Sequence, residues 1–206
     1  IYPGDYNYRK GTGNIALNHR SKDNRLEVNL TANYGIDRNN LVGNGSLSVT
    51  NILLSPNAPS VFNEDGSLNW EDWGEAGLSN PFEGYFNTTT TQTKNLNANL
   101  LLSYEIVQGL RLKSSFGYSD YQSSELWKLP ERSYNPAYNP INRSSHLTTS
   151  RNSWIIEPQL TYDYIFGKLE ANLLVGGTLQ HNQSNRSTFQ GQGYASESLI
   201  GNLGSV

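Results

Sequence analysis

The sequence predicts an all-β fold: an antiparallel meander of long hairpins, with short turns at one end and long polar loops at the other. Three observations predict it. Apolar and polar residues alternate with period two, over stretches of about ten residues or more, the length a tilted membrane strand needs. Tight turns join these stretches in pairs, while much longer segments separate the pairs. Seven charged residues within the stretches keep to one face, among them Glu27, Arg111 and Glu157. Together these are the sequence form of a transmembrane β-barrel wall with short periplasmic turns and long extracellular loops.

The first hairpin pairs 12–20 with 25–36 across Ser21–Asn24. Its first strand is the weaker, with Ile15, Leu17 and His19 against Ala16, Asn18 and Arg20. Its second sets Leu26, Val28, Leu30, Ala32, Tyr34 and Ile36 against Glu27, Asn29, Thr31, Asn33 and Gly35. The second hairpin pairs 94–106 with 110–121 across Val107–Gly109. Leu96, Ala98, Leu100, Leu102, Tyr104 and Ile106 share one face; Leu110, Leu112, Ser114, Phe116 and Tyr118 continue it. The third pairs 151–165 with 169–181 across Phe166–Lys168. Trp154, Ile156, Pro158, Leu160, Tyr162 and Tyr164 form its apolar set, continued by Leu169, Ala171, Leu173, Val175, Gly177 and Leu179. Pro158 lacks an amide donor, which predicts a bulge at that point. Segment 45–54 reads equally as a strand or a short helix.

The charges decide which solvent each face meets. Glu27, Glu105, Arg111, Lys113, Glu157, Asp163 and Glu170 all lie on the polar face. A Lys or Arg facing lipid at mid-depth costs roughly 2–4 kcal/mol, so several such errors would exceed a typical net stability. Tyr34, Tyr104, Tyr118, Trp154, Tyr162 and Tyr164 stand towards strand ends on the apolar face, where interfacial aromatics belong. A soluble β-sandwich also alternates, but its strands are usually nearer five or six residues. Two other architectures remain open on pattern: a self-contained barrel or adhesin-like surface protein of about eight strands, and a soluble carbohydrate-binding sandwich using loop tryptophans.

Composition agrees with a wall. Only 35% of the 206 residues are hydrophobic and 16% are charged, leaving a large share of uncharged polar residues. A soluble domain of this size normally carries more of both. A net charge of −3 gives no nucleic-acid surface. The chain has no cysteine, hence no disulfide or thiolate site. It opens on Ile1-Tyr2-Pro3 without a signal peptide, which suits a processed chain or an internal piece of a longer one.

The loops at 37–93, 122–150 and 182–206 hold the remaining candidates. Asn63-Glu64-Asp65-Gly66 reads as a tight turn with Gly66 at positive φ. It lacks the regular oxygen ligands and closing Glu of a calcium loop. Trp70, Trp73, Tyr85 and Phe86 either stack on a ligand or pack the loop onto itself, and self-packing is the simpler reading. Trp70, Trp73, Tyr85, Trp127 and Tyr134 are the candidate ligand or partner contacts. The Tyr-Asn-Pro repeats at 134–136 and 138–140 read as turn punctuation. His19, His146 and His181 lack metal-ligand spacing. No nucleophile elbow, glycine fingerprint or acid–base pair appears. The expectation is therefore a non-enzyme without cofactor or metal.

Several strings resemble the SusC/RagA class of TonB-dependent transporters. They are Asn33–Asp37 with Asn39–Leu41, "LSPNAPSVFNEDGSLNW" (Leu54–Trp70) and "LSYEIVQGLRLKSSFGYSD" (Leu102–Asp120). "SWIIEPQLTYDY" (Ser153–Tyr164), "LLVGGTLQ" (Leu173–Gln180) and "GQGYASESLIGNL" (Gly191–Leu203) continue the series. Their succession spans nearly the whole chain. The resemblance implies a middle portion of a large outer-membrane barrel, without counterparts of the plug, the TonB box or the C-terminal strand. It also implies a parent that imports glycans or peptides, with a SusD-like surface lipoprotein as lid and TonB as energy source.

Overall fold

The computed structural model describes residues 6–42, 53–167 and 169–206. Lys168 and most of segment 45–54 lie outside the described residues. The strands are β1 (Asn7–Arg20), β2 (Leu26–Val42), β3 (Thr88–Val107), β4 (Leu110–Leu129), β5 (Arg143–Phe166), β6 (Leu169–Gly176) and β7 (Leu179–Gln192). Among the described residues one short α-helix, α1 (Glu71–Glu75), stands between β2 and β3. The seven strands form a single antiparallel sheet in chain order, with β6 and β7 both paired to β5. Among the described residues no second sheet packs on it, and β1 pairs only with β2, so it neither makes a sandwich nor closes into a small barrel.

The short turns are built as their residues dictate. In the first, the Leu26 amide donates to the Ser21 hydroxyl at 2.9 Å, and Asn24 adopts φ 57°. That left-handed conformation suits asparagine better than most residues. Gly109 has φ 83°, and a Cβ there would lie 2.5 Å from the Asp163 carbonyl oxygen. Glycine is therefore required at Gly109 twice over, by dihedral and by space. A register shift between Glu105 and Val107 adds a bulge beside this turn.

Pro158 has a different effect from the predicted bulge. The β4–β5 register runs through Ser114–Pro158 without a shift. On the other side, Ile156 pairs Leu179 and Gln159 pairs Gly176, so β6 and β7 are one lane with a common register. The lane lapses at residues 177 and 178, opposite Glu157 and Pro158. The Pro158 carbonyl accepts from the Gly177 amide at 3.1 Å. In a strand, N–H and C=O of one residue point to the same side, so the missing donor of Pro158 faces this gap. The lost hydrogen bond breaks the partner strand without displacing it.

The strands also run further than the hydrophobic pattern. β2 continues to Val42, β3 starts at Thr88, β4 reaches Leu129, β5 starts at Arg143 and β7 runs to Gln192. The loops shrink to 43–87, 130–142 and 193–206. Trp127 accordingly lies on β4, not in a loop. The extensions are largely polar, as in Thr88–Thr93 opposite Asp37–Val42. Threonine favours pleated backbone, and a hydrogen-bonded ladder continues where apolar alternation stops.

The register carries the face sorting across every lane. Leu17, Leu30, Leu100, Phe116, Ile156 and Leu179 stand directly opposite one another in sequence. So do the polar residues Asn14, Asn33, Asn97, Ser119, Ser153 and Asn182 on the other face. The apolar face is not a core. Among the described residues the buried hydrophobics are Leu68, Trp73, Tyr194 and Ile200, all in connecting segments, whereas Ile15 and Leu173 are 66% and 60% exposed.

Candidate functional site

The three long connections meet at one end of the sheet and fold into a cap. In the first, Phe62 and Leu68 bridge around the turn at 63–67. Gly66 takes φ 79°, as that turn requires. The Asp65 carboxylate accepts from the Ser67 hydroxyl at 2.6 Å and the Ser67 amide at 2.9 Å. These two bonds, the hydroxyl first, hold the Asp65 pKa below the usual carboxylate value. The Asn69 side chain accepts from the Asp72 amide at the start of α1 and donates to the Asp72 carboxylate at 2.7 Å. The buried Asn80 amide donates to the carbonyls of Val61 and Asn69 at 2.8 and 2.9 Å. An asparagine in that place reinforces two loop segments already joined by the Phe62–Leu68 bridge and by the Asn69 amide donating to the Val61 carbonyl at 3.0 Å.

The aromatic candidates divide. Trp73 is only 5% exposed and donates from Nε1 to the Ser60 carbonyl at 3.1 Å. Tyr85 packs edge-on to Phe62 and Phe86, with ring centroids 5.4 and 5.1 Å away. Burial, with Tyr85 nearby, raises the pKa of Tyr6. Trp127 lies on the polar face of β4, opposite Thr89 and Ser145, and donates to Glu125 at 3.2 Å. Trp70 and Tyr134, far apart in sequence, line the same cleft of about 630 Å³.

Cross-links between the connections hold that cleft open. The Gly84 amide donates to the Ser133 carbonyl at 2.8 Å. The Asn87 side chain donates to the Tyr134 hydroxyl at 2.9 Å. The Arg132 guanidinium sits 4.0 Å above the Phe86 ring and pairs with Glu197 of the last connection at 2.7 Å. The Tyr194 and Ser144 hydroxyls are 2.7 Å apart, and Asn142 donates to the Tyr194 carbonyl at 3.2 Å. Glu71, Glu131 and Arg132 join Trp70 and Tyr134 on the cleft wall. An aromatic-walled cleft with a few charges can hold a polar oligomer by stacking and hydrogen bonds. The sequence signal for Glu71 and Glu131 was absent, because nothing local says that residues 60 apart will face each other.

The polar face of the sheet supplies a second surface. A cavity of about 460 Å³ there is lined by Asn95, Asn97, Tyr121, Arg151, Asn182 and Ser184. Below it, Gly117 leaves space for Ile155; a Cβ at Gly117 would come within 2.7 Å of that side chain. Among the described residues no group of side chains has the make-up of a metal site, and no helix is long and apolar enough to cross a membrane.

The fold has solved counterparts. The RagAB peptide transporter aligns over 97% of this chain with a TM-score of 0.72 and 17% identity. The RagAB peptide importer aligns in its "closed-closed" state (TM-score 0.71, 16% identity, 95% of this chain) and in its "open-open" state (0.70, 18%, 95%). This chain spans only 22–23% of those chains. No family model matches the sequence, and no curated protein sequence does. The likeness is therefore one of fold: an open sheet of this chain's length matches one part of a much longer transporter chain.

Proposed function

We propose that the chain is a wall segment of a SusC-like, TonB-dependent importer of peptides or glycans in the bacterial outer membrane. One observation carries the reading. A continuous apolar face crosses every lane of the sheet, bounded by Tyr34, Tyr118 and Trp154 towards one end of the strands and by Tyr104, Tyr162 and Tyr164 towards the other. From Trp154 to Tyr164 is about 33 Å of strand, or roughly 25 Å of height at the usual barrel tilt, which is the height of an outer-membrane apolar band. The apolar side meets lipid. The amide- and hydroxyl-rich side lines the lumen, where uncharged polar groups pass a hydrated oligomer without trapping it. The capped end faces outward, and the Trp70–Tyr134 cleft contributes to the outer vestibule. No covalent chemistry is involved.

Peptide transport by the fold neighbours supports peptides as the first substrate class to test. A SusD-like surface lipoprotein over the cap and TonB beneath would act through parts of the parent protein beyond these residues. The test is made on the full-length protein in its own cell. Envelope fractionation should find it in the outer membrane, and its deletion should abolish TonB-dependent uptake of labelled oligopeptides or oligosaccharides. Recovery as a freely soluble protein, or unchanged uptake of both ligand classes, would refute the proposal.

A further inference from the structure

The apolar face does not turn simply polar beyond its aromatic edge. Arg9 on β1 stands directly opposite Arg38 on β2. Lys94 on β3, opposite Ile36, is diagonal to Arg38. All three share the face of Leu17, Leu30 and Leu100 by strand alternation, and all three are exposed. Like charges directly opposite in a sheet repel and destabilise the pair. On the reverse face at the same height the arrangement is the expected one, Lys10 opposite Asp37. Among the described residues no ion pair reaches Arg9, Arg38 or Lys94. The one acid near them on that face among the described residues, Asp120 opposite Leu96, accepts instead from Gln122 at 3.0 Å. The repulsion has no internal partner among the described residues.

Height identifies the partner. Lys94 lies two residues beyond Leu96, the partner of Tyr34, and Arg38 lies four beyond Tyr34 itself. That is roughly 7–13 Å along the strand, or about 5–10 Å above the edge of the apolar band, the depth of the headgroup layer. We infer that Arg9, Arg38 and Lys94 form an external site for the phosphate groups of anionic lipid in the outer leaflet. The inference rests on the wall reading above. Arginine pairs bind phosphate through paired N–H groups, so the anion converts a repulsive contact into a bridged one. The site would fix the depth and rotation of the wall in the membrane.

The test uses the full-length protein in detergent micelles, titrated with fluorescent lipid A carrying both phosphates and, in parallel, with its dephosphorylated form. Variants are Arg9→Gln/Arg38→Gln/Lys94→Gln and, as a charge-matched control, Lys10→Gln/Arg151→Gln/Arg186→Gln on the polar face. Heat-modifiable migration confirms that each has assembled. A basic residue near an anionic surface contributes about 1 kcal/mol, so the triple variant should lose about a hundred-fold in affinity for the phosphorylated lipid. The control should match wild type, and the dephosphorylated lipid should bind all three alike. Equal affinity of wild type and an assembled triple variant for the phosphorylated lipid overturns this site and leaves the wall reading standing. Equal loss in the control also overturns it, since net charge alone would then explain the binding. A wild-type protein that is soluble without detergent removes both.

Discussion

Leu100→Arg puts the face assignment at greatest risk. Leu100 lies mid-band on β3, flanked directly by Leu30 and Phe116 and then by Leu17 and Ile156. No polar group of that row can receive a guanidinium. The charge would meet lipid at mid-depth, at a cost of roughly 2–4 kcal/mol. Against a net stability of about 5–15 kcal/mol, this is enough to unfold a marginal barrel or stall its insertion. Asn99→Arg moves the same group by one residue to the other face, opposite Thr31 and the side-chain-free Gly117. There the expected change is within about 0.5 kcal/mol. Both variants, with Leu173→Arg as a second lipid-face probe, are made in the full-length protein. Heat-modifiable migration of outer-membrane fractions reads assembly, and urea unfolding in bilayers reads stability. Leu100→Arg should assemble poorly or lose about 2–4 kcal/mol, and Leu173→Arg, opposite Tyr162 at the edge of the band, about 0–1 kcal/mol, while Asn99→Arg behaves as wild type. Equal assembly of all three, or failure of Asn99→Arg alone, would show the faces to be assigned the wrong way round.

Four further outcomes are expected. Gly109→Ala should cost at least about 1 kcal/mol in urea unfolding, because φ 83° and the nearby Asp163 carbonyl both oppose a Cβ; an unchanged midpoint would contradict the turn geometry. Asn80→Ala should leave the Asn69 carbonyl without its buried donor and the Val61 carbonyl with the Asn69 amide alone, at about 1–3 kcal/mol, read as faster hydrogen exchange confined to the first loop. Asp65 has a lowered folded pKa, so its contribution to the 63–67 turn is fully present above its ordinary pKa and is lost as pH falls through the folded one. Hydrogen exchange of the Ser67 amide should therefore quicken in acid, and Ser67→Ala should move that transition to higher pH. The 206-residue chain on its own exposes an apolar face and two unpaired edges, and should self-associate without detergent; a monodisperse monomer in analytical ultracentrifugation would count against the wall reading.

Membrane strands announce themselves clearly in sequence. The alternation of Leu26–Ile36 and Leu96–Ile106 fixes strand, length and face together, because lipid and water meet opposite sides of one pleat. The turns at Asn24 and Gly109 were legible because left-handed backbone selects few residues. The strand ends were not legible. In Thr88–Thr93 and Arg143–Ser150 no solvent boundary divides the faces, so alternation vanishes while backbone pairing persists. For the same reason Trp127 read as a loop residue. Pro158 was legible as a defect but not as to kind, since the sequence names the missing donor and only the pairing shows which neighbour lacks it.

The residues alone determined an all-β meander with one apolar and one polar face, since each depends on neighbours two positions apart. Tertiary structure decided everything that depends on register. It placed Arg9 against Arg38, aligned Asn14 to Asn182 in one polar row, and brought Trp70 and Tyr134 into one cleft while burying Trp73. Those pairings join residues tens of positions apart, and their energies belong to contacts that no local pattern encodes.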